Sequence, residues 1–359
     1  MNSIDQLISR LNIPYRTDCT FADLTTFKVG GKVDLVLYPE TEEQCIELIA
    51  WAKKKNESLI FLGNGSNVLG SDKGYQGIIV KTDRLNKMEL HENGMITVGA
   101  GVRDVKVSSF AAKNGLTGAE FLHGIPGTIG GAVFMNAGAY DGSMDQIVVQ
   151  TRYLDEAGNV HILKKEDHCF GYRKSFFMKH PEFLILDVTL QLKPGNKAEI
   201  HSLIDDFQQR RREKQPLEFP SAGSTFKRPE GHFAGKLIQD AGLGGCSIGG
   251  AQVSSKHCGF IINANNATCT DVLAMIEHVQ NIVAEQFNVK LECEIRFLGE
   301  KYRDWSWCKC RLVLMLKRNC VKFKKKIIFA KRPSFMVWFY LVRLLKRISL
   351  KFPLKMYLL

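Results

Sequence analysis

Two stretches poor in side chains offer the plainest chemistry in this chain. The apolar run Leu59-Ile60-Phe61-Leu62 feeds into Gly63-Asn64-Gly65-Ser66-Asn67-Val68-Leu69, and further on Gly124-Ile125-Pro126-Gly127-Thr128-Ile129-Gly130-Gly131 continues through small and apolar residues to Tyr140. Backbone without bulky side chains lets amide groups approach a ligand closely, which suits a phosphate-bearing cofactor. Glycine clusters also form ordinary connecting turns. The dinucleotide fingerprint fails, because Val68 stands where its third glycine belongs and no long helical pattern follows; the P-loop fails, because no glycine precedes the required Lys and Ser/Thr. A different phosphate-binding scaffold is implied.

Three polar positions could act on a bound substrate, each with a plainer alternative. Ser224 lies in the small-residue turn Ser221–Lys227, where serines commonly bond their own backbone. Arg173 lies in Gly171-Tyr172-Arg173-Lys174-Ser175, which also reads as a surface turn. Glu294 alternates with Leu291, Cys293, Ile295 and Phe297, which turns it to the face opposite the apolar set, where an acid ordinarily meets solvent.

The elements that must position these residues follow from pattern. Residues 34–38 read as a strand and Thr41-Glu42-Glu43-Gln44 as a capping box opening a helix to Ala52, so the strand at 59–62 completes a β-α-β unit. Strands are expected at 77–82 and 95–101, then a helix from Asp104 ending at Asn114-Gly115. Residues 147–154 and 159–163 flank a hairpin turn, and 184–192 form another strand. Lys193-Pro194-Gly195-Asn196 is the linker between a region spanning 1–195, with subdomains of about 1–75 and 76–195, and a second region, 196–300. The second region opens with a helix carrying Ile200, Leu203, Ile204 and Phe207 and ending in the basic run Arg210–Lys214 before Pro216; a further helix carries Val272, Ile276, Val279 and Val283, between strands at 259–263 and 290–298.

Composition bounds the function classes. The net charge of +12 would point to nucleic acid or membrane, but residues 301–359 hold 17 of the 49 Lys and Arg and one of the 37 acids, leaving 32 bases against 36 acids, a net of −4, in the first 300 residues. The seven cysteines there show neither CxxC pairing nor metal-ligand spacing, which reads as reduced thiols in a cytosolic protein without a metal site. The start of the chain lacks the pattern of a secretory signal, and no run approaches the about 20 apolar residues of a membrane span.

Taken in order, the segments 63–69, 124–140, 172–175, 211–216, 222–229, 234–242, 250–254 and 291–299 resemble the UDP-N-acetylenolpyruvoylglucosamine reductases, in the form lacking an extra substrate-covering loop. The resemblance covers nearly all of residues 10–300. It implies an α+β fold: an FAD-binding half of the vanillyl-alcohol-oxidase (PCMH) type with two α+β subdomains, and a separate α+β substrate domain. It further implies non-covalent FAD held by Gly63, Asn64, Gly65, Ser66, Asn67, Gly127, Thr128 and Gly131, and NADPH as hydride-donating co-substrate. Ser224 is then the proton donor, Arg173 and Glu294 bind and polarise the substrate carboxylate, and Tyr172, Arg212 and Lys214 contact the sugar nucleotide. The reaction would serve peptidoglycan precursor synthesis in the cytoplasm. Arg228, Gly244 and Cys293 depart from the residues usual in the family. Two other readings stand beside this one: another FAD-dependent oxidase or dehydrogenase of the same scaffold, and a membrane-associated binding protein acting through its basic tail. Residues 301–359 have no family counterpart and read either as a membrane-surface segment or as out-of-frame translation.

Overall fold

The computed structural model describes residues 3–299; the basic stretch 301–359, with both readings of it, lies outside the described residues. The first sheet is built on the expected β-α-β unit. Strand Lys32–Leu37 is followed by helix Glu42–Lys55, whose first turn is locked by Thr41 and Gln44 in a reciprocal capping box, and then by strand Leu59–Leu62. The crossover leaves a gap between the two strands that Tyr75–Lys81 fills, pairing parallel with both. The division anticipated near residue 75 therefore falls after Lys81, because that strand is hydrogen-bonded on both edges inside the first sheet.

The second sheet is antiparallel, in the order Val160–Lys164, Val148–Leu154, Leu184–Gln191, Met95–Gly99, Met88–Leu90. Its central strand carries apolar residues toward both faces because both are covered. Leu184 and Leu186 pack with Cys45 and Ile49 of the first helix, while Ile185, Val188 and Leu190 pack with Val107 and Ala111 of helix Asp104–Lys113 and with Ile129 and Val133. Those last two belong to a short helix, Ile129–Met135, inside the stretch read only as a glycine-rich loop. Gly130 makes this possible, since a Cβ there would lie 2.9 Å from the Ala100 Cβ.

Beyond Gly195, helix Lys197–Lys214 packs Ile200 and Ile204 onto Ala112. A three-stranded antiparallel sheet, Ser247–Ile248, Ala251–Val253 and Ile261–Asn263, is covered by helices Ala234–Asp240 and Cys269–Phe287, with Val272, Val279 and Val283 fully buried. Phe27, Val29 and Leu69 share this core. The strand expected over 290–298 forms only at Arg296–Leu298, and it leaves the C-terminal sheet to pair in parallel with Val68–Gly70, directly after the first glycine loop. Tertiary pairing overrides the alternation that suggested one long strand.

Candidate active site

Both glycine-rich stretches converge. The Asn64 side chain donates to the Pro126 carbonyl, and the Lys81 ammonium donates to the Gly63 carbonyl from a nearly buried position. Burial lowers the Lys81 pKa, opposed by its ion pair with Asp83 at 3.4 Å. A Cβ on Gly63 would fall 2.3 Å from Thr128 Oγ1, so only glycine lets the loops meet. Thr128 Oγ1 is itself buried without a hydrogen-bond partner among the described residues. Asp104 lies beneath the second loop: its backbone N–H donates to the Gly127 carbonyl at 3.2 Å, its carboxylate is fully buried, and burial pushes its pKa well up against the opposing effects of Arg103 and the Gly127 backbone.

From this seam a chain of contacts leads to the polar residues. Helix Ile129–Met135 ends at Asn136 in the left-handed conformation; Asn136 Nδ2 donates to the Gly171 carbonyl at 3.0 Å, and Ser175 Oγ donates to the Phe134 carbonyl at 2.6 Å. The tight turn so held is closed by reciprocal Gly171 and Lys174 backbone bonds and carries Arg173 at φ 49°, a strained conformation for a non-glycine residue. Arg173 Nε donates to Glu294 Oε1 across 121 residues of sequence. Glu294 is held in turn by its backbone N–H donating to the Thr225 carbonyl at 2.8 Å, and by Asn67 of the first loop, whose Nδ2 donates to the Glu294 carbonyl at 3.3 Å. The Arg173 and Glu294 side chains are 20% and 12% exposed, so Glu294 is not the solvent-facing acid that alternation alone would allow. Burial raises the Glu294 pKa and the Arg173 guanidinium opposes the rise.

Ser224 is exposed in a bent segment, one residue before Thr225, whose backbone N–H donates to the Gly259 carbonyl and whose carbonyl accepts from the Glu294 N–H. Tyr172 is 59% exposed; its hydroxyl accepts from the Arg228 backbone N–H at 3.0 Å, and the Arg228 guanidinium lies 3.9 Å from the centre of the Phe233 ring. The structure thus assembles Asn67, Tyr172, Arg173, Ser224 and Glu294. Gly63, Asn64, Gly65, Ser66, Gly127 and Thr128 lie on the adjoining loops, and Gly131 in the first turn of helix Ile129–Met135. Arg212 and Lys214 stand apart: both are exposed at the end of their helix, and Arg212 is engaged with Gln208 at 2.7 Å.

Several residues escaped the sequence reading. Arg296, two positions after Glu294 and so on the same side of the chain, is partly buried with its guanidinium 5.0 Å from the centre of the Phe134 ring, and burial lowers its pKa. Its alternation with Glu294 was the available signal. Arg211 is also partly buried, which lowers its pKa, near Tyr140, which stacks on Phe207 at 4.2 Å. Neither Lys81 nor Asp104 carries a local pattern that distinguishes it from an exposed charge.

The side-chain-poor seam, its spare hydroxyl donor and the flanking cations fit an anionic cofactor. The family model of an FAD binding domain matches residues 33–164, and that of the UDP-N-acetylenolpyruvoylglucosamine reductase C-terminal domain matches 215–298. The UDP-N-acetylenolpyruvoylglucosamine reductase of Clostridium perfringens (strain SM101 / Type A) is 48% identical over 282 residues, 79% of this chain and 92% of that protein. The protein of the same name from Caldanaerobacter subterraneus is 47% identical over 277 residues, 77% of this chain and 91% of its own. The crystal structure of the Thermus caldophilus enzyme superposes with a TM-score of 0.68 at 33% identity, covering 80% of this chain and 99% of that one. The α+β fold with an FAD-binding half is therefore the one the sequence led us to expect. With both family models matched in order and nearly half of all positions identical along almost the full length of such relatives, the chain belongs to the UDP-N-acetylenolpyruvoylglucosamine reductase family of FAD-containing oxidoreductases.

Proposed function

We propose that the chain reduces the enolpyruvyl group of UDP-N-acetylglucosamine enolpyruvate to a lactyl ether with NADPH, giving UDP-N-acetylmuramate for peptidoglycan precursors in the cytoplasm. Residues 1–195 would bind FAD and 196–300 the sugar nucleotide. The observation that carries this reading is the largely buried Arg173–Glu294 pair, tied through Asn67 to the first glycine loop and through Thr225 to the segment bearing Ser224. FAD, when bound through Gly63–Asn67, Gly127, Thr128 and Gly131, supplies hydride transfer between NADPH and the alkene.

The protein residues act at the other end of that alkene. As hydride reaches the terminal carbon, negative charge grows on the adjoining carbon and its carboxylate. Arg173 uses Nε on Glu294, which leaves its terminal nitrogens to meet that carboxylate as a fixed fork. Glu294, its pKa raised by burial, keeps the guanidinium in place. Ser224 Oγ then gives a proton to the adjoining carbon and is reprotonated from solvent. Serine is a weak acid, so this step depends on the basicity of the carbanion-like centre and on a donor already in position. Tyr172, beside Arg173 and bonded to Arg228, borders the entrance for the sugar nucleotide, and Arg212 and Lys214 would contact its diphosphate.

Rapid-mixing kinetics of the two half-reactions test the assignment. Ser224→Ala should leave flavin reduction by NADPH near the wild-type rate and slow reoxidation by the enolpyruvyl substrate roughly 10²–10⁴-fold, the usual contribution of positioned proton transfer. Equal losses in both half-reactions would remove Ser224 from the role.

A further inference from the structure

Helix Lys197–Lys214 carries the basic residues set against the sugar nucleotide, yet its end stands apart from the Arg173–Glu294 pair. A polar relay joins that helix to the second glycine-rich stretch. His123 lies in the short 3₁₀ helix Glu120–Gly124, immediately before Gly124. Its Nε2 is 2.7 Å from Gln208 Nε2, and Gln208 Oε1 accepts from Arg212 Nη2 at 2.7 Å. His123 and Gln208 lie outside the motifs that carry the family resemblance.

The donors and acceptors fix the protonation state of the ring. A guanidinium only donates, so the Gln208 carbonyl oxygen must face Arg212 and its NH2 must face His123. His123 Nε2 therefore accepts, which makes the imidazole neutral with its proton on Nδ1. Nδ1 is buried without a hydrogen-bond partner among the described residues, so a charged ring finds no acceptor on that side. Burial lowers the His123 pKa; Asp205 opposes the fall and Arg211 adds to it. Other polar groups near this turn are committed elsewhere: the Tyr140 hydroxyl donates to the Phe207 carbonyl at 3.0 Å, and the Glu120 carboxylate accepts from the Thr117 hydroxyl and the Gly118 N–H. Helix Asp104–Lys113 brings apolar Val107 and Ala111 into the core that holds Phe121 and Leu122 of the same turn. A proton on Nε2 would set a donor against a donor. Gln208 would then turn its carbonyl oxygen to the ring and withdraw it from Arg212.

We infer that His123 is a positioning residue: in its neutral form it orients Gln208, and through Gln208 it holds the Arg212 guanidinium for the diphosphate of the sugar nucleotide. The inference rests on the proposed Arg212 contact and adds a proton-sensitive control to it. Its test is binding of UDP-N-acetylglucosamine enolpyruvate to the oxidised, FAD-loaded full chain without NADPH, so that no turnover intervenes. Calorimetric titrations run from about pH 5 to about pH 8, a window in which histidine titrates and the substrate carboxylate stays ionised. The wild-type Kd should rise roughly 10-fold as pH falls, the scale of one hydrogen bond to a charged group. His123→Gln, whose amide oxygen accepts from Gln208 and does not titrate, should keep the tight Kd across the range. His123→Leu and Arg212→Ala should bind weakly and without pH dependence. Nitrogen NMR of the wild type at the alkaline end should show the Nδ1-protonated tautomer. A pH dependence that survives His123→Gln, or an Nε2-protonated neutral ring, would overturn the inference. Arg212→Ala binding as tightly as wild type would remove the Arg212 contact and the inference with it, whereas a wild type that binds no sugar nucleotide at any pH would overturn the functional reading itself.

Discussion

At the scale of single residues, the arginine at the site is selected for geometry as much as for charge. Arg173 sits in a left-handed turn and spends one guanidinium nitrogen on Glu294, an arrangement an ammonium cannot reproduce. Arg173→Lys should therefore keep fold and flavin content while lowering kcat/KM for the enolpyruvyl substrate roughly 10²-fold, the scale set by loss of one preorganised donor; steady-state kinetics beside a visible spectrum would check it. Asp104 allows a second prediction. Its folded pKa lies above its unfolded one because of burial, with Arg103 opposing, so folding takes up a proton once the unfolded carboxyl has ionised. Stability attributable to this group is intact below the ordinary carboxylate range of about pH 4 and falls as pH rises toward the folded pKa, with a slope of about 1.4 kcal/mol per pH unit. Asp104→Asn should flatten that part of the pH–stability curve, measured by urea denaturation across the window. An unchanged slope would mean that the carboxylate finds a partner in solution.

Between elements, the site exists because parts distant in sequence are stitched by few bonds. The Asp72 carboxylate accepts from the backbone N–H groups of Cys269 and Thr270, at 2.6 and 2.9 Å, and from the Thr270 hydroxyl, so a loop of the FAD-binding half caps a helix nearly two hundred residues away. Asp72→Ala should cost about 1–2 kcal/mol, as helix caps do, and raise hydrogen exchange at the start of helix Cys269–Phe287. The contact between glycine loops invites a size test. Gly63→Ala sets a methyl against Thr128 Oγ1 and should destabilise by about 1–3 kcal/mol while weakening FAD binding. Adding Thr128→Ala should return part of the stability, and a strictly additive double variant would show that the residues do not meet.

For the molecule as a whole, charge divides sharply near residue 300. Residues 301–359 carry the entire basic excess of the chain, and residues 1–300 have a net charge of −4. A chain ending at Glu300 should keep its flavin spectrum and turnover but lose retention on a cation exchanger at neutral pH, as its net charge changes from +12 to −4. Much of the architecture was legible because its signals are local: the Thr41–Gln44 capping box, the Asn114-Gly115 stop and the hairpin around Asp155 each depend on residues within a turn of one another. Ordered motifs likewise revealed the family. The long strand at 290–298 failed because its pairing partner, Val68–Gly70, belongs to the other half of the chain. What the amino-acid order determined was which segments become helix, strand or glycine loop, since those choices follow from backbone sterics and nearest neighbours. Only the tertiary structure decided that Glu294 is buried against Arg173, that Lys81 and Asp104 lie beneath the glycine-rich loops, and that a cavity opens beside Asn64. Burial and charge pairing are properties of distant chain segments brought together, and no local pattern encodes them.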